Sequence, residues 1–466
     1  MKLKSDLFND FDPVSAARWK QKIQFDLKGA DYNKTLLTHS LEGIVIRPFY
    51  HQEDYKWLDI PKAPGSFKIC QTLFAGREKT ANSLARDAVK RGAESIRFIV
   101  TGPFDIKSLF KDLKLSKIPL FFQFYFLDPG FITELKDFLK DYEVYFNIDI
   151  ISNLSATGNW FFNNRTDHQI VNDLLKNTGD SHGILGVDVS LYQNAGANTV
   201  QQTAYALAIA GEYLNYLEEL LQKKKITKEN RERAVRNMMF TFSVGYNYFF
   251  EIAKFRAFRY LWKLLLNEFQ LSYEAKIFAV PSLRNKSLFD ANVNMLRTTS
   301  ESMSAVFGGA GFVGNLSYDE FFKKKNEFGE RISRNQLIIL KEESKLKNSD
   351  FSEGAYYIEE LTYEIAVRSL EIFKEIEKGG GFVKQLFKGV IQRKIGENAG
   401  KEQELFDSGK LVLLGANKYP DPDEKITKED LEIYPFVKKR SSKMIIEPVI
   451  AIRLSEKLEK SRLNLK

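Results

Sequence analysis

Histidine, cysteine and glycine-rich runs are the first places to look for chemistry. The four histidines, His39, His51, His168 and His182, stand far apart, and none falls in an HExxH or other metal-ligand spacing. Each is expected to be a surface or satisfied core residue. Cys70 is the single cysteine, so the chain forms no internal disulfide and no thiolate metal cluster. It is read as a small packing residue in a reducing compartment. Gly309-Ala-Gly311-Phe-Val-Gly314 spells GxGxxG, which in a dinucleotide site lets backbone amides approach a pyrophosphate at a helix start. Here the run follows Val293 to Phe307, whose composition is helical, so a tight turn or a short barrel strand is expected instead. No GxSxG elbow, Walker A loop or H-R-D set occurs. Residue chemistry taken alone yields no active site.

The elements that would position any site are more legible. Short apolar or β-branched runs recur at Ser95 to Val100, Pro119 to Phe126, Glu143 to Ile150, Gly183 to Val189 and Lys276 to Val280. Segments of 3.6-residue periodicity lie between and after them, at Arg77 to Arg91, Phe131 to Leu139, Thr199 to Leu221 and Asn247 to Leu266. In the last, Phe249, Ala253, Ala257, Tyr260, Leu261 and Leu264 form one stripe, with Glu251, Lys254, Arg259 and Lys263 away from it. An amphipathic cover helix is expected there. Strands alternating with helices imply a parallel sheet, and the length suits an α/β (β/α)8 barrel of the TIM type, ahead of an open doubly wound sheet.

The flanks differ. Residues 1 to 60 read as an N-terminal arm that packs on a partner, with one helix capped near Asp12-Pro13 and closing around Gly29, then the extended stretch Leu41 to Tyr50. The barrel is assigned to 61 to 378. Past Gly379-Gly-Gly381 the pattern loosens, with a helical run at Gly396 to Asp407 and a turn-rich Gly415 to Asp423, so 379 to 466 is read as a linker or belt.

Charge narrows the class. Lys and Arg number 69 against 61 acids, a net charge of +8, with both signs mixed along the length. The densest basic stretches, Lys223 to Lys225, Lys323 to Lys325 and Lys438 to Lys443, lack interleaved aromatics, so solvated surface is expected and nucleic acid is not a predicted partner. No stretch reaches the roughly 18 uncharged apolar residues of a membrane span, and no apolar run follows the basic start. A soluble, cytoplasmic protein is expected.

The opening Phe11-Asp-Pro-Val-Ser15, Trp19 and Asp26-Leu-Lys-Gly-Ala-Asp31 is followed by Leu41-Glu-Gly43 and Pro48-Phe-Tyr50. Then come Gln193-Asn-Ala-Gly-Ala197, Glu251-Ile-Ala-Lys-Phe-Arg-Ala257, Leu296-Arg-Thr-Thr299, Ala305-Val-Phe-Gly-Gly309 and Arg331-Ile-Ser-Arg-Asn335. Ala355 to Thr362, Glu375 to Gly380, Asp407-Ser-Gly-Lys410 and Gly415 to Tyr419 complete the series. In this order the blocks resemble the acyl-CoA mutases that use adenosylcobalamin, methylmalonyl-CoA mutase in particular and its small subunit most of all.

This resemblance implies a barrel that, in catalytic subunits, threads coenzyme A along its axis toward cobalamin. The departures imply that this chain does not do so. Where the family has W-x-I-R-Q-Y, with an arginine on the thioester ligand and a tyrosine that helps the radical step, this chain has Phe67-Lys-Ile-Cys-Gln-Thr72. Cys70 and Thr72 replace both groups. Where the family reads S-G-Y-H-M-Q-E-A-G-A, this chain has Asp188 to Ala197 with Leu191 at the histidine, and a leucine donates nothing to a thioester carbonyl. Glu359 keeps a residue that approaches the cofactor in homologues, with a plain charged helix-end role equally open. The D-x-H-x-x-G motif of the flavodoxin-like cobalamin domain is not found, and Asp167-His168 has the wrong spacing. A non-catalytic small subunit is therefore expected, with no catalytic or metal-binding residue of its own. Its expected partner is a large catalytic subunit that holds the adenosylcobalamin and the acyl-CoA. The alternative is a barrel that binds acyl-CoA itself and borrows a separate cobalamin protein.

Overall fold

The computed structural model describes residues 12–113, 118–176, 178–346, 350–438 and 443–464. Phe11 of the opening block and most of the basic run between Lys438 and Lys443 lie outside them. Eight parallel strands close into a barrel: β1 (Lys68–Phe74), β2 (Ser95–Val100), β3 (Leu120–Phe124), β4 (Val144–Ile148), β5 (His182–Asp188), β6 (Met239–Val244), β7 (Lys276–Pro281) and β8 (Phe312–Gly314). Consecutive strands are neighbours, and β8 pairs with both β7 and β1 to complete the ring. Closure rules out the open doubly wound sheet. β1 and β6 fall outside the apolar runs read from the sequence, β1 because it carries Lys68, Gln71 and Thr72, whereas β8 is the short barrel strand offered for Gly309 to Gly314.

The helices of ten or more residues are α1 (Ala16–Asp26), α2 (Glu78–Lys90), α3 (Pro129–Phe138), α4 (Asn164–Lys176), α5 (Thr199–Gln222), α6 (Tyr248–Glu268), α7 (Val293–Gly308), α8 (Glu327–Ile338), α9 (Tyr356–Lys378) and α10 (Val390–Asp407). Aspartates start three successive barrel helices. Asp105, Asp128 and Asp149 each accept a hydrogen bond from the backbone N–H three residues on, satisfying a donor that the first turn leaves free. Gly309 ends α7 in the left-handed region, at φ +93°, and the chain then enters β8. The GxGxxG spelling thus runs from helix end to strand, the reverse of the strand-to-helix order that cradles a pyrophosphate.

The cover-helix reading of α6 is corrected. Glu251, Lys254, Arg256 and Arg259 are buried and Phe249 is 46% exposed. α6 packs between α5, α7 and α9, so from Phe250 to Leu266 none of its residues is fully exposed. Its charged side chains survive burial because most meet partners within the protein: Lys254 pairs with Glu251 and donates to Gln202 Oε1 and the Ser243 carbonyl, while Arg256 Nη2 lies 2.5 Å from Glu359 Oε1.

The flanks wrap this barrel. α1 is capped by Ser15 rather than by Asp12, and it buries none of its residues. Of the extended stretch Leu41 to Tyr50, only Val45–Ile46 forms a strand, paired antiparallel with Thr38–His39. α10 begins at Val390, earlier than its periodicity suggested. Beyond it the chain crosses the C-terminal face of the barrel. Backbone N–H groups of Ile445, Val449, Ile452 and Leu454 donate in turn to the carbonyls of Gly158, Ser155, Asn194 and Arg284, which lie after β4, β5 and β7.

Candidate functional site

Side chains of a barrel strand alternate between the axis and the helices. The strand register carries Cys70 to the level of Ser95, Arg97 to that of Phe121, and Phe121 to that of Tyr145. The inward set that results is aromatic. Cys70, Phe121, Tyr145, Met239, Phe278 and Phe312 form a cluster of their own, separate from the core between sheet and helices, and each is at most 9% exposed. Phe121 stacks on Tyr145 with ring centroids 4.9 Å apart and meets Phe312 edge-on at 4.8 Å and Phe278 at 5.5 Å. Inward glycines make the space. A Cβ on Gly183 would lie 2.7 Å from the Tyr145 ring, and one on Gly314 would lie 3.0 Å from that of Phe278.

The lower end of this plug is closed by polar groups. Lys276 Nζ donates to the Tyr145 hydroxyl at 2.9 Å and to Asn237 Oδ1 at 2.9 Å, and that hydroxyl donates to Glu143 at 2.7 Å. Burial, with the Glu143 carboxylate beside it, drives the Tyr145 phenol pKa far up. Cys70 is enclosed in the plug, and burial pushes its thiol up to about 12. A thiol so placed is neutral and unreactive near pH 7.

Above the plug the inward side chains are no longer fully covered. Thr72, Gln123, Asn147, Asp188 and Val280 are half-buried and Tyr125 is exposed. Arg97 lies at the floor of this mouth with its guanidinium 4.9 Å from the centroid of the Phe278 ring. Lys325 Nζ donates to the Thr72 carbonyl at 2.7 Å. Leu191 sits in the short helix Ser190–Asn194 that follows β5, half-buried against the main core. Thr72 and Leu191 thus both lie at the C-terminal end of the barrel, where barrel enzymes place their chemistry, and Cys70 lies below Thr72 in the filled axis.

Glu359 is elsewhere. It sits in the first turn of α9, is 3% exposed, accepts from Gly354 N at 3.0 Å and holds Arg256. Both carboxylate engagements are with the protein itself. A cleft of about 740 Å³ opens between the arm, the loops after β5 to β7, and α10. Glu42, Gln193, Glu251, Arg284 and Glu402 line it, with Arg284 Nε 2.5 Å from Glu402 Oε2. The blocks at 41–43, 193–197 and 251–257 contribute Leu41, Glu42, Gln193, Ala197 and Glu251 to this cleft, but residue chemistry alone did not assign it because its walls come from separate segments of the chain.

The histidines do not converge. His39 is on the arm strand beside the cleft, and His51 caps a 3₁₀ turn through its Nδ1. His168 lies edge-on to Trp160 and Tyr216 on α4, and His182 Nε2 is 3.0 Å from the Leu139 carbonyl at the lower end of β5. Among the described residues no group of three or more His, Cys, Asp or Glu side chains is arranged to hold a metal ion. An adenosylcobalamin seated over the C-terminal mouth would meet Leu191 rather than an imidazole, and Glu359, held by Arg256, lies away from that mouth, so the side chains described do not fit that group.

A parallel eight-stranded α/β barrel with a filled axis, an arm and a belt across its C-terminal face is the class that these features define. The chain belongs to the methylmalonyl-CoA mutase family, whose profile matches residues 139–463. It is 29% identical to the methylmalonyl-CoA mutase small subunit of Porphyromonas gingivalis, in a match covering 90% of this chain and 72% of that protein. It is 26% identical to the methylmalonyl-CoA mutase of Cereibacter sphaeroides, over 88% of this chain and 64% of the relative. For the Escherichia coli enzyme the values are 31%, 58% and 38%. The chain therefore spans less than two thirds of the last two relatives. No described helix is long and apolar enough to cross a membrane.

Proposed function

We propose that this chain is the non-catalytic small subunit of a heterodimeric methylmalonyl-CoA mutase, working in the cytoplasm. Its large partner binds adenosylcobalamin and interconverts methylmalonyl-CoA and succinyl-CoA. One observation carries the reading: the axis through which a catalytic barrel would thread coenzyme A is occupied here by Phe121, Tyr145, Phe278 and Phe312. Cys70, Thr72 and Leu191 in place of the arginine, tyrosine and histidine support it further. The alternative, a barrel that binds acyl-CoA for a separate cobalamin protein, requires an open axis and fits this interior poorly.

The remaining surface suits a partner. α1 has no fully buried residue, and it carries Trp19 at 53% and Phe25 at 79% exposure. Large apolar side chains on an arm of this kind lose water-exposed area only by docking on another chain. The arm is taken as 1 to 60, the barrel as 61 to 378 and the belt as 379 to 466. The test is to purify this chain alone and with its large homologue and assay both for turnover. Activity confined to the pair, with the two chains co-eluting, is the expected result, and robust turnover by the lone chain would overturn the reading.

A further inference from the structure

We propose that the C-terminal mouth of the barrel is a binding site for one small oxyanion group, a carboxylate or a phosphate, held by Arg97. The register sets Arg97 level with Thr72 on one side and Phe121 on the other, so it faces the axis at the border of the aromatic plug, against Phe278. It is 9% exposed. Its recorded partners are both neutral: Nη2 donates to Gln123 Oε1 at 3.0 Å, and the guanidinium lies over the Phe278 ring.

Arg334, also buried, is held in the same way by Gln71 Oε1 at 2.8 Å, with no carboxylate within ion-pair distance among the described residues, whereas several other buried arginines are paired. Arg256, Arg284 and Arg453 each pair with a buried carboxylate, of Glu359, Glu402 and Glu459 respectively. Among the described residues no carboxylate comes within ion-pair distance of Arg97. A guanidinium removed from water is normally compensated by an anion, and its planar set of donors matches carboxylate and phosphate oxygens two at a time. The acid facing the same mouth, Asp188, has its Oδ1 turned to Ser190, whose N–H and hydroxyl donate to it at 3.0 and 2.5 Å. Lys325 adds a second positive charge at the rim, beside Glu320 at 3.7 Å.

The plug sets the limit of the ligand. With Phe121, Phe278 and Phe312 filling the axis, Arg97 can meet only the charged end of a small molecule. A ring face under the guanidinium keeps it flat and aimed upward, which pre-organises it for a bidentate ligand.

The site is tested on the full chain by calorimetric titration with sodium phosphate and, separately, sodium acetate, at constant ionic strength set with chloride. Saturable one-to-one binding of at least one anion, with a Kd of about a millimolar or tighter, is expected. The stronger of the two arms names the ligand class. Arg97→Gln should weaken it at least tenfold and Arg97→Lys less. If Arg97→Gln does not fold, Thr72→Phe, which fills the mouth and leaves Arg97 in place, decides the matter and should abolish binding. No saturable heat from either anion, or equal affinity in a folded Arg97→Gln or Thr72→Phe variant, would overturn the proposal. Association with the large chain is a separate measurement and is unaffected by either result.

Discussion

The rings of Phe121 on β3 and Phe312 on β8 meet across the barrel axis at 4.8 Å, close to perpendicular. Strands that are not neighbours in the sheet are thereby tied through its centre. Edge-to-face pairs of this kind add to the apolar area that they bury. The same contact that stabilises the barrel closes its axis.

Removing that contact has a defined cost. Phe121→Ala should lower the stability of the chain by about 3–5 kcal/mol, the range for deleting a buried phenyl ring. Chemical denaturation measures this directly. Turnover by the lone chain should stay absent even with the hole opened, because Thr72 and Leu191 supply no group that a catalytic barrel would use there.

The space given to Tyr145 by Gly183 predicts the opposite error. Gly183→Ala puts a carbon 2.7 Å from the Tyr145 ring and closer still to the Asn237 carbonyl. Neither neighbour yields easily, since Asn237 is itself bonded to Lys276. A loss of about 1–3 kcal/mol is expected from overpacking, and a thermal melt unchanged by the substitution would contradict this account of the plug.

Glu359 is predicted to act on stability. Glu359→Ala leaves Arg256 buried without its anion and should cost about 3–5 kcal/mol, whereas the double replacement of Glu359 and Arg256 by methionine should cost much less. A double-mutant cycle reads the coupling. If Glu359 instead served a cofactor, the single and double variants would fail together in turnover of the pair while folding normally.

Cys70 sets a pH dependence at the alkaline end. Its thiol is raised from its ordinary value near 9 to about 12 by burial, so the folded chain holds a proton that the unfolded chain gives up. The stability that this contributes is fully present below pH 9 and is lost as pH rises from there toward about 12. Cys70→Ala should flatten that limb of the profile. A thiol reagent at pH 8 should label the native chain no faster than it unfolds, and rapid labelling of folded protein would show that the plug is open.

The belt makes a last prediction. Glu459, 1% exposed, accepts from Leu288 N, Ser455 Oγ and Arg453, fastening the helix Glu456–Arg462 near the end of β7. Glu459→Ala should free the tail from the C-terminal face, seen as faster amide exchange in 443–464 with the barrel strands still protected.

Much of this was already present in the order of residues. Alternating apolar runs and helical periods are local properties, and they specified a parallel sheet, with the barrel preferred by length, because each strand must bury both faces. The family blocks and the three replacements, Cys70, Thr72 and Leu191, are likewise readable one position at a time. What sequence could not say is which side chains share the axis. Phe121, Tyr145, Phe278 and Phe312 lie on four strands spread over nearly two hundred residues, and only closure with its register brings them into one layer. The same holds for α6, whose lysine, arginines and glutamate look solvent-facing by period and are buried because α5, α7 and α9 enclose the helix and most of these groups find partners there. The isolated Arg97 is the clearest case. Its type is visible in the sequence, but that no carboxylate among the described residues pairs with it is a property of everything packed around it.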